Sequence, residues 1–225
     1  MSDIRRILVA LEPGYAQSRI PELAARIAAE ISAEIDALLV QDAALMMAAD
    51  LPLAQEILVP TGTRRNLTRQ TLALDFQALA RKLERRFEQL AGGTGLHWTL
   101  RSVLGNPIAQ IVAAAGEGDL LMLGLPRDAA FGIDAMRQIA RQARRPAVFI
   151  GDLASSSEGL FVFDGETELE RGLPTVVGLL ARAFQGAPTI YHHPPAGEIG
   201  DLRRRAILVL PGRPDEESDG GPELP

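Results

Sequence analysis

The chain contains no cysteine. That excludes a disulfide framework, a thiol nucleophile and cysteine-based zinc sites. Histidine is nearly as scarce, with three in 225 residues. His97 stands alone, and His192 and His193 are adjacent. None of them forms the i, i+4 pair by which one helix face holds a metal. There is no surplus of basic charge either. The formal net charge is -6, with acids and bases interspersed, so composition offers no argument for nucleic acid. Long apolar runs are missing too. No run approaches the ~20 residues of a membrane span. The first one, in MSDIRRILVALEPG, is too short for a signal peptide and is closed by Glu12. The expectation is a soluble, cytoplasmic protein of bacterial type, with no metal site and no membrane insertion.

The chain does have apolar bulk in short, regular packets. The hydrophobic fraction is 47%, enough for one sizeable core or a core with a small appendage. RILVAL (6–11) is a continuous aliphatic run ending in Glu-Pro-Gly, as a buried parallel strand would be. Ser18 can cap a following helix with Pro21 in its first turn. Ile20, Leu23, Ile27 and Ile31 give that helix an apolar face, and Glu22 and Arg26 are spaced to pair on its other side. DALLVQD (36–42) is the next strand, so the first forty residues read as a β-α-β unit with parallel strands.

Residues 43–62 are apolar, irregular and broken by two prolines. A long helix is expected from Thr68 to Leu90, with Leu72, Phe76, Leu79, Leu83, Phe87 and Leu90 on one face and Gly92-Gly93 as its stop. LHWTLRSVL alternates as a strand, GNPIAQIVAAAGEG is a helix capped by Asn106 with Pro107 at its first position, and DLLMLG is a strand. A helix over 133–143 and the strand in RRPAVFIG complete the set. Alternation of this kind predicts a parallel sheet covered on both faces.

After the serine-rich linker at 152–159 the opening pattern returns. LFVFDG mirrors ILVALEPG, Leu173-Pro174 mirrors Ile20-Pro21, and PTIYHH mirrors DALLVQ. AILVLPG (206–212) resembles LLMLGLP, but the long helix and the strand and helix after it have no second counterpart. The expected organisation is an α/β domain over 1–151, a linker, a truncated second copy over 160–212 packed on the first, and an acidic, disordered tail over 213–225.

Together these pieces resemble a universal stress protein, most specifically in VLGNPIAQIVAAAGEGDLLMLG and ARQARRPAVFI. The resemblance implies an α/β fold of the adenine-nucleotide-binding kind, a parallel five-stranded sheet with helices on both faces. It implies a tandem arrangement with a degenerate second copy. ATP-binding members of that family carry Gly-x2-Gly-x9-Gly-Ser/Thr after the fourth strand, where glycines let backbone N–H groups close on phosphate. Here Gly124 matches the first glycine, Arg127 stands three residues on, and Ile133 and Asp134 take the Gly-Ser positions. Only eight residues separate Gly124 from Ile133, about four fewer than the family's pattern. A nucleotide, if held, would meet Glu12, Val40, Gly124 and Arg127. With the loop altered, ATP is not the expected cofactor, and none other is implied.

Several residues admit two readings. Arg127 can replace a glycine nest by a point charge or be a surface arginine. Arg137, Arg141, Arg144 and Arg145 can grip an anion or offset a helix dipole. Glu12 and Asp164 end equivalent strands and can be paired acids or turn residues. Residues 43–60 can be a lid over the sheet or a docking surface for a protein partner or a second copy, carried by Met46, Met47, Leu51 and Leu53. The functional expectation is a non-catalytic stress-response protein that acts through partner or self association, such as a homodimer. The alternative is a binding module for a nucleotide or other small anion at the carboxyl ends of the strands. Weak nucleotide hydrolysis is a distant third, because no catalytic constellation is visible.

Overall fold

The computed structural model describes residues 4–11, 19–58, 62–124, 133–150, 161–163, 173–184, 189–191 and 207–210. Its centre is a sheet whose first five strands in chain order are β1 (Arg6–Leu11), β2 (Glu34–Asp42), β5 (Trp98–Gly105), β6 (Asp119–Gly124) and β7 (Ala147–Ile150). All five run parallel. β1 lies between β2 and β6, so the chain builds outward from β1 first in one direction and then in the other. A sixth strand, β10 (Ile207–Leu210), pairs antiparallel with β7 and closes that edge. The parallel five-stranded sheet expected from the alternating pattern is therefore present.

The strands are apolar on both sides because both sides are covered. Along β1, Ile7, Val9 and Leu11 enter one core, shared with α1 (Ile20–Ile31) and α3 (Arg69–Ala91). Leu8 and Ala10 enter a second core on the opposite face, shared with α4 (Pro107–Ala114) and α5 (Ile133–Ala143). Within α3, Leu72, Phe76, Leu79, Leu83 and Phe87 are the buried residues, as their spacing predicts. Phe87 stacks on Trp98 with ring centroids 5.5 Å apart.

Local chemistry sets the helix ends. Thr68 and Thr71 form a reciprocal capping box at the start of α3. Asn106 accepts from Ala109 N–H and Pro107 occupies the first turn of α4, as expected. At α1 the cap position is Arg19, which makes no side-chain cap; Ser18 lies outside the described residues. One expectation is corrected here. Glu22 does not pair with Arg26 on its own helix. Its two oxygens accept from Nε and Nη2 of Arg86 on α3, each at 2.6 Å. A bidentate guanidinium from a packed neighbouring helix outcompetes a local i, i+4 pair exposed to water.

Residues 43–62, irregular in sequence, hold α2 (Ala43–Ala48) and an antiparallel hairpin of β3 (Gln55–Leu58) and β4 (Thr63–Asn66). Towards the carboxyl terminus, β8 (Phe161–Phe163) pairs parallel with β9 (Thr189–Tyr191), and α6 (Leu173–Phe184) lies between them in sequence. Phe161 stands opposite Thr189 with the same chain separation as Arg6 opposite Glu34. Val176 and Leu180 of α6 are buried in the core that holds α1, and Arg182 donates to Glu30 of α1. The linker at 152–159 and the tail at 213–225 fall outside the described residues.

Candidate functional site

An open α/β sheet offers a crevice at the carboxyl ends of its strands, where the strand order reverses. Here that point lies beside β1. Gly124 ends β6 on one side of it, half-buried and opposite Ile150. Val40 stands on the other side in β2, one residue beyond the Leu11–Leu39 pair and still opposite Val103. Its side chain is buried in the α4–α5 core, so only its backbone can face the crevice. The sheet thus brings Gly124 and Val40 to the two flanks of the β1 end. Glu12, Arg127 and Asp164 lie outside the described residues, as do the side chains of Ile133, Asp134 and Arg137. Of the arginines near the end of α5, Arg145 turns inward and donates from Nε to the Gly116 carbonyl at 2.8 Å, while Arg141 and Arg144 are exposed.

The segment after β2 leaves the sheet at this same end. Asp42 caps α2 by accepting from Ala44 N–H at 2.8 Å. Met46 turns inward and packs, half-buried, against the α1–α3 core together with Ala49 and Ala54. Met47, Leu51 and Leu53 turn outward and are 64%, 63% and 95% exposed, and Ile57 on β3 is 56% exposed. The sequence-predicted docking residues therefore divide. Met46 is a core contact and the other three are surface.

Ion pairs hold this surface in place. Asp50 receives both Nε and Nη2 of Arg69, at the start of α3. Arg65 on β4 donates to Glu56, its cross-strand neighbour, at 2.6 Å, and also to Asp75 of α3. The Arg69 hydrogen bonds hold the Asp50 carboxyl below its ordinary pKa. The hydrogen bonds that Arg65 donates to Asp75 and Glu56 raise its own pKa.

A second cluster, not singled out from the sequence, lies toward the amino ends of the strands on the α4–α5 face. Asp36 and Asp119 are 6% and 3% exposed, although both are charged. Arg6 reaches Asp119 through Nε at 2.9 Å and Nη2 at 2.6 Å, and Asp36 through Nη1 at 3.3 Å. Arg101 grips Asp36 through Nε and Nη2 at 3.1 and 3.0 Å, and Gly116 N–H donates to Asp119 at 2.6 Å. The Asp119 hydrogen bond is the main cause that raises the Arg6 pKa. Every carboxylate oxygen here accepts from a guanidinium, so none is poised to take a proton from a substrate. The cluster is a clasp across β1, β2, β5 and β6. The signal for it was an aspartate at the head of each of two apolar runs, DALLVQD and DLLMLG, since a buried charge needs a partner.

Among the described residues no group of acids and histidines is placed to hold a metal ion, and no helix is long and apolar enough to cross a membrane. His97 is exposed at the rim of an open recess with Arg5, Ser32, Glu34 and Thr94.

No family model matches the chain, and no curated protein matches it. Among solved structures it is similar to a universal stress protein from Archaeoglobus fulgidus DSM 4304, at 14% identity and a TM-score of 0.47, over 92% of this chain and 77% of that one. It is also similar to a protein named for the same family from Pseudomonas aeruginosa UCBPP-PA14, at 17% identity and a TM-score of 0.45, over 90% of this chain and 67% of that one. The α/β architecture rests on this chain's own strand order.

Proposed function

We propose that the protein is a non-catalytic, stress-response-type protein that acts by association through the outer face of residues 45–57. The observation that carries this reading is the exposure of Met47, Leu51 and Leu53 on a segment whose inner side is packed. A lid would turn these side chains inward; here only Met46 goes in. The shortened loop after Gly124 supports the same reading from the other side, because it is about four residues shorter than the family's pattern and holds Arg127 where that pattern has its second glycine. In this reading β8, α6 and β9 are a truncated second copy of the opening β-α-β unit, joined to the first through α6 and β10. The protein needs no cofactor and works in the cytoplasm.

Calorimetric titration of the full chain with ATP and Mg²⁺ tests the claim about the crevice. The expected result is no heat of binding. A low-micromolar site would overturn it in favour of a nucleotide-binding module. Met47→Ser with Leu51→Ser tests the claim about the surface. The expected result is an unchanged melting temperature with association lost. A large drop in melting temperature would show that the segment belongs to the core.

A further inference from the structure

We propose that the arginines at the amino end of β7 form a docking site for an acidic stretch of chain, and that its occupant is the protein's own segment 215–219. The site lies at the end of the sheet opposite the α2–β3 surface and stands independently of it.

The first observation is the arginines themselves. α5 ends at Ala143, and Arg144 and Arg145 follow before β7 begins at Ala147. A base in the last turn of a helix offsets its dipole, and Arg141 already stands there. Arg144 lies beyond that turn, is exposed, and makes no ion pair among the described residues. Arg145 donates to the Gly116 carbonyl, a neutral acceptor, so its charge is not cancelled there. On the same turn as Gly116, Asp119 is already held by Arg6, and Glu117 is the exposed acid. One carboxylate does not balance the guanidiniums of Arg141, Arg144 and Arg145. A positive surface therefore stands out on a chain whose formal net charge is -6.

The second observation is the direction of β10. Its antiparallel register sets Ile207 opposite Ile150 and Leu210 opposite Ala147. The chain therefore leaves β10 at the amino end of β7, where Arg144 and Arg145 stand. α5 also touches β10. Neighbouring strands are about 4.8 Å apart. The run from Leu210 to Asp215 reaches at most about 18 Å when extended. The segment is thus delivered to the arginines by the fold.

The third observation is charge. After Leu210 come Asp215, Glu216, Glu217 and Asp219, with Arg213 as the base in that run. Guanidinium and carboxylate match two donors to two acceptors. Each such pair at a surface is weak and screened by salt. A segment tethered to β10, however, meets the site at an effective concentration on the order of millimolar. The other basic run, Arg203 to Arg205, precedes Ile207, at the opposite end of the strand. Bound in this way, the segment shields the arginines from other acidic partners.

The test uses the full chain, which has no cysteine of its own, carrying one nitroxide through Ser218→Cys. Paramagnetic broadening of backbone amides is read in low salt. Any chain leaving Leu210 starts near Ala147, so a reference is needed. It is the same labelled chain with Asp215→Asn, Glu216→Gln, Glu217→Gln and Asp219→Asn. Broadening at Arg144 and Arg145 should exceed that of the reference by about threefold or more, and should fall to the reference level at about 0.5 M salt. Arg144→Gln should reduce it with no change in melting temperature. Equal broadening in the two chains overturns the proposal, and so does broadening that survives salt, because the contact is then not ionic. A mixture of nitroxide-bearing chain with isotope-labelled, nitroxide-free chain checks the occupant. Broadening that appears only across such a mixture overturns the assignment to the chain's own segment. A synthetic peptide of residues 213–225 gives a second readout. It should shift the Arg144 amide of the neutralised chain at about tenfold lower concentration than in the parent. Equal affinity for both chains means that the segment does not occupy the site, and no shift in either means that the arginines are not a docking site.

Discussion

Toward the amino ends of the strands, charged side chains have been drawn in. At the carboxyl end of β2, apolar side chains have been left out. The first region holds Asp36 and Asp119 almost without solvent contact, and the second holds Leu53 almost without protein contact. The contrast shows that residue type does not decide burial; available partners do. Asp119 is buried because Arg6 and the Gly116 N–H meet both of its oxygens. Leu53 is bare because α2 and the hairpin have only one inner side, already filled by Met46, Ala49 and Ala54.

The largest effect is expected where the inward charges lose their counter-charge. Arg6→Met leaves Asp119 without its bidentate partner and removes one of two guanidiniums from Asp36. Such a break costs about 3 kcal/mol or more. Urea denaturation followed by the fluorescence of Trp98, the single tryptophan, measures it. Arg101→Met should cost less, about 1 kcal/mol, because Arg101 is more exposed and Asp36 keeps Arg6. If the two variants lose equal stability, the clasp is not organised around Arg6.

A second pair of variants sharpens the comparison by holding residue type fixed. Leu180 of α6 is fully buried, and Leu51 is largely exposed. Leu180→Ala should cost about 2–4 kcal/mol. Leu51→Ser should stay within about 0.5 kcal/mol, measured on the monomer. The Leu180 result also tests how α6 is joined to the rest. If α6 shares one cooperative unit with α1, Trp98 fluorescence and far-UV circular dichroism report one transition, shifted equally in both. Two separated transitions would place α6 in an independent unit.

The sequence was most legible where one short-range rule sufficed. Period-2 and continuous apolar runs located the five parallel strands, and period 3.6 located α1 and α3. Asn106 and Pro107 marked the start of α4 within a residue. The hairpin was not legible. Its strands have four residues each, and Pro52 and Pro60 mask their pattern. The clasp was not legible because its partners are far apart in the chain, with Arg6 and Asp119 separated by 113 positions. For the same reason Glu22 was matched to nearby Arg26 instead of Arg86. Of the nucleotide-site residues, only Gly124 and Val40 lie among the described residues, and their placement at the flanks of the β1 end follows from strand order alone.

The smallest expected effect concerns pH at the outward surface. Asp50 titrates below its ordinary value because Arg69 hydrogen-bonds to the charged form. The folded state therefore favours the carboxylate more than the unfolded chain does. Its contribution is complete above the ordinary carboxylate pKa, and it fades as pH falls through the lowered folded value. Stability should therefore fall with acidification in that window. Because Asp50 is open to water, salt should screen most of the effect. The carboxylates of the clasp are nearly closed off from solvent, so its ion pairs should be less sensitive to salt. Nuclear magnetic resonance titration of the Asp50 carboxyl in low and high salt reads this directly. Its midpoint should lie below the ordinary aspartate range in low salt, and Arg69→Gln should return it there. If the midpoint in Arg69→Gln equals that of the parent, the pair does not hold the turn that presents Leu51 and Leu53. The outward surface would then owe its shape to the Arg65 bridge between β3 and α3.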